Sequence, residues 1–326
     1  MTNDERYMQR ALRLASYGRG SASPNPTVGA VIVAKGKIIG EGWHRRCGGP
    51  HAEVHAIASV KERELLSQST IYVTLEPCSH WGRTPPCADL IIRSGIPRVV
   101  VGCGDPFEKV AGRGIAMLRT EGIEVLVGCL EQQCRQLIAP FITYHTLHRP
   151  YIILKWAETS DGFVDRIRQS PDDGAALRIS PPAQTRQIHR LRTMIDAILI
   201  GSRTLWLDNP SLTARQYYGR SPHRIAFTPR DKAIPAHYHM LDGTAHTTLL
   251  GIDTPRPENL EQLMAWLYDK EIQSLMVEGG TQLLQSFIDA NLYDQLMIER
   301  GSYPIGSGVK APTINSPVTN KSLHLR

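Results

Sequence analysis

A chain of 326 residues suits two domains with ample core volume. Its 37 Lys plus Arg exceed 31 Asp plus Glu to give a net charge of +6. The basic residues lie singly or in short clusters such as His44-Arg45-Arg46, which speaks against nucleic acid and suits a phosphorylated small substrate. No apolar run approaches the ~18 residues that span a bilayer, so no membrane partner is expected. Six cysteines in a chain that opens Met-Thr-Asn-Asp-Glu-Arg, without a secretory signal, point to a reducing cytoplasm.

Thr2 and Glu5 have capping-box spacing, and Met8, Ala11, Leu12 and Ala15 form an apolar stripe that stops at Gly18, which predicts a short amphipathic first helix. Residues 28–34 and 37–43 read as a hairpin around Lys35-Gly36. Helix 51–61, strand 70–75, helix 88–94, strand 98–102, helix 112–120 and strand 124–127 are expected to follow. A helix, a hairpin and then alternating helices and strands predict a three-layer α/β sandwich around a mixed sheet. This first domain is assigned residues 1–146, its end falling in the polar, histidine-rich stretch 141–150. The second domain, 147–326, begins with strand 151–155. Further buried strands at 196–201 and 273–277, and helices at 186–192 and 282–289, predict a second α/β unit. Neither a low-complexity segment nor an internal repeat interrupts the two.

His51-Ala52-Glu53, followed by Pro77-Cys78 and Cys87, is the pattern that carries chemistry. One imidazole and two thiolates balance most of a Zn²⁺ charge and leave a fourth tetrahedral position open for water, the composition of a hydrolytic rather than a structural site. Glu53 lies two residues from His51, a spacing that does not put both side chains on one helical face, so proton transfer suits it better than metal ligation. Pro50-His51 and Pro77-Cys78 are each expected to set a ligand in the first turn of a helix. Proline is tolerated there, and the helix dipole favours a thiolate. Base deaminases show H-x-E and then P-C-x-x-C, whereas here eight residues, 79–86, separate the cysteines. Singly, each of these residues also reads as a core histidine or a small buried hydrophobe. That reading is kept for Cys47, Cys103, Cys129 and Cys134, while His80 fits a pocket rim and a solvated loop equally.

In the second half, Val277-Glu278-Gly279-Gly280-Thr281 reads as a strand that runs through two glycines into a helix. Exposed N–H groups at such a helix start attract phosphate, although an ordinary strand-to-helix turn has the same sequence. The chain has no G-x-G-x-x-G, so a Rossmann dinucleotide fold is not expected.

Taken together, Ser23-Pro24-Asn25-Pro26-x-Val28-Gly29, His51-Ala52-Glu53, Thr74-Leu75-Glu76-Pro77-Cys78-Ser79-His80 and Gly82-Arg83-Thr84-Pro85-Pro86-Cys87 resemble the bifunctional riboflavin-biosynthesis deaminase/reductase family. Leu154-Lys155-x-Ala157, Ser160-Asp161-Gly162, Leu191-Arg192, Thr204, and Asp208-Asn209-Pro210-Ser211-Leu212-Thr213-x-Arg215 resemble its reductase half. The resemblance implies a cytidine-deaminase-like first domain and a dihydrofolate-reductase-like second one. It implies zinc on His51, Cys78 and Cys87, Glu53 as the catalytic proton carrier, and Asn25 as a pyrimidine contact. It also implies NADPH at Ala157, Thr204, Asp208 and Gly280, and the sugar phosphate at Arg192, Leu212, Arg215 and Glu278. The substrate implied is a small pyrimidine ribosyl phosphate, and the assembly a homo-oligomer.

Two departures stand out. Arg178-Ile179-Ser180, after a polar insert at 165–176, replaces a family Trp-Ile-Ser or Trp-Ile-Thr run, and the tail after Gly306-Ser307-Gly308-Val309-Lys310 looks cut short of a core strand. No general acid of the reductase is identifiable from spacing; Lys155 and Asp161 are both plausible. Two other readings are compatible with the zinc pattern: a nucleic-acid base deaminase with a C-terminal binding module, and a deaminase whose second domain is an inactive scaffold.

Overall fold

The computed structural model describes residues 1–81, 85–106 and 112–314, and the backbone of strand Ser322–Leu325. Gly82, Arg83 and Thr84 of the cysteine-spacing motif lie outside the described residues. The chain divides into two compact units, Met1–His148 and Arg149–Arg326.

The first unit runs α1 (Asn3–Ser16), β1 (Gly29–Ala34), β2 (Lys37–Trp43), α2 (Ala52–Ala58), β3 (Ser69–Leu75), α3 (Cys87–Arg93), β4 (Arg98–Cys103), α4 (Arg113–Thr120), β5 (Glu124–Val127), α5 (Glu131–Leu137) and α6 (Ala139–Leu147). The capping box forms as expected, with Thr2 accepting from the Glu5 N–H, but Leu14 rather than Leu12 completes the buried face of α1. The five-stranded sheet has the order β2-β1-β3-β4-β5 and is mixed: β1 is antiparallel to β2 and β3, whereas β3, β4 and β5 are parallel. All six residues of β1 are buried, because Ala30 and Ile32 pack under α2, α3 and α4 while Val31 and Val33 pack against α1 and α5. A strand covered on both faces needs apolar residues at every position, and the result is the three-layer sandwich.

Residues 139–147 form helix α6, and the first unit ends just after it at His148.

The second unit contains β6 (Tyr151–Glu158), β7 (Phe163–Asp165), α7 (Pro182–Arg192), β8 (Ala197–Ile200), α8 (Ser202–Asp208), β9 (His223–Phe227), β10 (Thr247–Leu250), α9 (Leu260–Asp269), β11 (Ser274–Gly279), α10 (Thr281–Asp289), β12 (Gln295–Arg300), β13 (Val309–Lys310) and β14 (Ser322–Leu325). Seven strands pair in parallel in the order β10-β9-β8-β11-β6-β12-β14, and β7 with β13 makes a small antiparallel ribbon. Helices α9 and α10 cover one face of the large sheet through Leu263, Leu267, Leu284 and Phe287, and α7 and α8 cover the other through Ile188 and Leu205. The polar tail does supply a strand: β14 pairs with β12 from Leu296 to Glu299, contrary to the expectation of a truncated sheet. Among the described residues no helix is long and apolar enough to cross a membrane.

Candidate active sites

His51, Cys78 and Cys87 come from three segments and converge. His51 is the N-cap of α2, Cys87 is the first residue of α3, and Cys78 lies three residues past the end of β3. No helix begins at Pro77-Cys78, which corrects the expected placement; the proline that opens a helix is Pro86. Cys78 nevertheless meets a helix start, because the Cys87 N–H donates to its Sγ at 3.3 Å and the Ala88 N–H to its carbonyl at 3.1 Å. The first turn of α3 thus supplies the partial positive charge that a thiolate needs.

His51 Nδ1 lies 3.6 Å from Cys78 Sγ and 3.3 Å from Cys87 Sγ, and the three donor atoms lie within 4.8 Å of one another. Zinc bonds of ordinary length at a tetrahedral angle require an N···S separation of about 3.6 Å. One imidazole and two thiols at that spacing fit zinc. The Cys78 thiol is lowered to about 4 by its hydrogen bonds with Cys87 and His51, against the opposing effect of burial. The Cys87 thiol is pushed up by its hydrogen bond to Cys78 and then by burial.

Glu53 sits in the first turn of α2 and is 3 % exposed. Burial raises its carboxyl above the ordinary range, with His51 opposing. Glu53, His51 and Cys78 share a cavity of about 270 Å³ with Asn25. The orientation of Asn25 is set from behind by the buried His44. His44 Nδ1 is 3.1 Å from the Pro50 carbonyl, which can only accept, so Nδ1 carries the proton and Nε2 accepts from Asn25 Nδ2 at 3.2 Å. Burial lowers the His44 pKa and favours this neutral form. His80 is at the rim of the same cavity.

Phe141 and His145 also line it, as an edge-to-face pair with ring centroids 4.3 Å apart on α6. Their i, i+4 spacing was the available signal that both share one helical face.

In the second unit a cavity of about 470 Å³ is lined by Ala157, Thr204, Asp208, Glu278 and Gly280, together with Lys155. Two helices begin there, α8 after Gly201 and α10 after Gly280. Gly279 and Gly280 have φ of 151° and 59°, values that L side chains rarely adopt, and a β-carbon on either would fall within 3.6 Å of Thr204 Oγ1. Strand β11 shifts register against β8 between Val277 and Gly279, so Glu278 occupies an irregularity of the kind that re-aims a side chain. Paired helix starts and a glycine cradle fit the phosphates of a dinucleotide.

Arg192 reaches Glu278 at 2.7 Å and donates to the Thr213 carbonyl at 3.1 Å. Burial opposes ionisation of Glu278, but Arg192 and Lys155 together hold its carboxyl below the ordinary range. The Leu212 side chain is in the apolar core, and the exposed Arg215 lines a separate groove with Tyr217 and Tyr218. The structure therefore gathers the cofactor candidates and Glu278 into one cavity; Arg192 reaches it only through Glu278, and Leu212 and Arg215 are not on its wall.

Residues 1–103 match the cytidine and deoxycytidylate deaminase zinc-binding region, and residues 150–326 match the RibD C-terminal domain. The riboflavin biosynthesis protein RibD of Aquifex aeolicus is 38% identical over 341 aligned positions, covering 99% of this chain and 94% of its own. The chain belongs to the RibD family. The RibD of Escherichia coli is 36% identical, with 94% of this chain and 90% of its own covered. A solved structure from Thermotoga maritima, a diaminohydroxyphosphoribosylaminopyrimidine deaminase/5-amino-6-(5-phosphoribosylamino)uracil reductase, superposes with a TM-score of 0.84 at 36% identity, covering 94% of this chain and 89% of that one. The RibD architecture accounts for both units, the first cytidine-deaminase-like and the second the dihydrofolate-reductase-like reductase fold.

Within this RibD chain the insert at 165–176 forms part of the reductase cavity wall. Its Arg168 is 3 % exposed and pairs with Asp165 at 2.6 Å and with Asp208. Arg178 lines the same cavity. Neither Arg168 nor its pairing with Asp208 was visible in the sequence, because the insert lies outside every motif.

Proposed function

We propose that this chain catalyses two steps of riboflavin biosynthesis, one in each domain. In residues 1–146, 2,5-diamino-6-ribosylamino-4(3H)-pyrimidinone 5′-phosphate loses its C2 amine by hydrolysis. In residues 147–326, the ribose of the product is reduced with NADPH, giving 5-amino-6-ribitylaminouracil 5′-phosphate. The observation that carries the reading is the His51, Cys78 and Cys87 triad with a buried Glu53 in the same cavity.

Bound by that triad, zinc supplies a Lewis acid that makes water nucleophilic near neutral pH. Asn25, its amide fixed by His44, holds the pyrimidine by a hydrogen bond. Glu53 takes a proton from the attacking water and delivers it to the departing ammonia. Burial suits a group that must carry a proton and not lose it to solvent.

In the second domain NADPH, when bound, supplies the hydride. Ala157, Thr204, Asp208 and Gly280 hold the cofactor, supported by the helix starts of α8 and α10 beside them. Glu278, with Arg192 paired to it, holds the sugar phosphate, while Leu212 and Arg215 lie away from this cavity wall. A guanidinium offers a fork of donors that never loses its charge. Six cysteines, none of them in a disulfide, support a cytoplasmic setting. The exposed Leu126 and Val127 on edge strand β5 support a homo-oligomer. Scattered basic residues support a small-molecule substrate without nucleic acid.

The test is incubation of the protein with the diaminopyrimidine phosphate, with and without NADPH, followed by resolution of the products. Ammonia release without NADPH, and a ribityl product only with it, is the expected pattern. Glu53→Ala should abolish ammonia release while zinc remains bound; continued release would remove Glu53 from the mechanism.

A further inference from the structure

Glu299 is a carboxylate at a position where the strand pattern calls for an apolar side chain. It lies on β12 and is 1 % exposed. Its Oε2 accepts from Ser180 Oγ, while Oε1 has no hydrogen-bond partner among the described residues. The nearest cation is Lys155 on β6, whose Nζ lies 3.7 Å from Oε1, an ion pair beyond hydrogen-bond reach. A buried carboxylate left half-satisfied is costly, and such groups persist where they serve a site.

The register explains why these residues meet. Met297 is opposite Lys155 and Glu299 is opposite Ala157 in the parallel pair of β12 and β6, so all four side chains share one face. Ala157 contributes only a methyl group, which leaves Lys155 and Glu299 as diagonal neighbours across it. Lys155, Ala157 and Ser180 line the reductase cavity, and Glu299 is behind them.

We propose that Glu299 is a positioning residue of the reductase. Its charge draws the Lys155 ammonium to one place on the cavity wall without occupying its donors, since at 3.7 Å no N–H is committed to it. Its hydrogen bond with Ser180 turns that hydroxyl so that its lone pairs, and not its proton, face the cavity. A donor cation and an acceptor hydroxyl, side by side, suit a sugar carbon bearing an oxygen whose charge changes on reduction. The inference rests on the reductase reading of this cavity.

The test uses the full-length protein and measures both activities. Glu299→Gln keeps the volume and an acceptor for Ser180 but removes the charge. Reductase kcat should fall by between about 10- and 100-fold, the size expected when a reacting group is displaced by about an ångström. NADPH affinity and the rate of ammonia release should stay within about twofold, well short of a tenfold change in a binding constant. Glu299→Asp, which restores the charge, should recover part of the loss. In a Lys155→Met background Glu299→Gln should cost nothing further, because the two residues act as one unit. Wild-type kcat in Glu299→Gln, or a loss that multiplies with Lys155→Met, overturns the inference. A joint loss of NADPH binding and thermal stability, unrelieved by Glu299→Asp, marks a structural role and also overturns it. Absence of NADPH-dependent reduction in the wild-type protein overturns the reductase reading itself, a separate result.

Discussion

Gly114, at the start of α4, is so close to Pro77 that a β-carbon on it would come within 1.9 Å of the Pro77 carbonyl oxygen. The contact presses α4 onto the segment that carries Cys78. The buried Glu76 locks it there, accepting the N–H groups of Gly112 and Gly114 at 3.0 Å and that of Ile115 at 3.3 Å. Gly114→Ala must therefore displace either the helix or the zinc-ligand segment. Overpacking of this kind costs about 1–3 kcal/mol. A lower melting temperature of the first unit is expected, together with a lower zinc content after dialysis. Full zinc retention would show that the segment yields without moving Cys78.

Metal removal should separate the two activities. With His51, Cys78 and Cys87 as the zinc donors, chelation or Cys87→Ser is expected to abolish ammonia release and lower the melting temperature of the first unit, since a ligand that binds only the native state stabilises it. NADPH-dependent reduction of pre-deaminated substrate should persist. Zinc should restore deamination to the chelated wild type but not to Cys87→Ser. Loss of both activities on chelation would count against independent sites.

The zinc donors were legible in the sequence because metal chemistry restricts residue type and because each donor lies next to a proline or a helix start. Their partners were not. His44, Phe141 and His145 reach the deaminase cavity from β2's end and from α6, and no local pattern links them to His51. Cys78 was expected at a helix start because it follows a proline, a residue tolerated in a first turn; only tertiary structure shows that Pro86-Cys87 opens the helix and that Cys78 is bonded to it. In the second unit β9 escaped recognition because a fully buried arginine, Arg224, breaks its apolar run. That guanidinium is satisfied by the carbonyls of Ser211, His239 and Ala245 and by Asp242, all distant from β9's own pattern. Strand β14 was missed because no sequence pattern in the polar tail marks it; it is recognised by its parallel pairing with β12.

Acid should weaken the first unit through Asp4. This carboxylate on α1 accepts from Arg98 at 2.8 and 3.1 Å and from the Tyr72 hydroxyl at 2.7 Å, joining the helix to β4 and β3. The Arg98 hydrogen bonds hold its pKa below the ordinary carboxylate value, against burial. A depressed native pKa means that the unfolded chain takes up the proton first as pH falls. The stabilisation is present above about pH 3.9, the unfolded value, and is lost as pH drops through the native one. For a partly exposed pair it amounts to roughly 1 kcal/mol. Urea midpoints of the wild type and Asp4→Asn should differ at pH 6 and converge below about pH 3.9. A constant difference down to acid would assign the effect to packing.

Arg168 should prove to be a structural keystone of the reductase cavity. Its guanidinium pairs with Asp165 and Asp208 and donates to the carbonyls of Leu207 and Gly174 at 3.2 and 3.3 Å. It thereby fastens the insert to the end of α8. Burial raises the Asp208 carboxyl above its ordinary value, and Arg168 is what opposes that rise. In Arg168→Met two carboxylates would face each other without a counterion, and breaking a buried pair from one side costs about 3–5 kcal/mol, less here because Asp208 is part-exposed. The second unit is expected to melt at lower temperature and to bind NADPH more weakly at pH 7.5. Because Asp208 would then hold its proton more tightly, acidification should neutralise the repulsion, and the gap in melting temperature between variant and wild type should narrow at pH 5. A gap that widens in acid would mean that the carboxylates do not repel in the variant, and that Arg168 acts only through its carbonyl contacts.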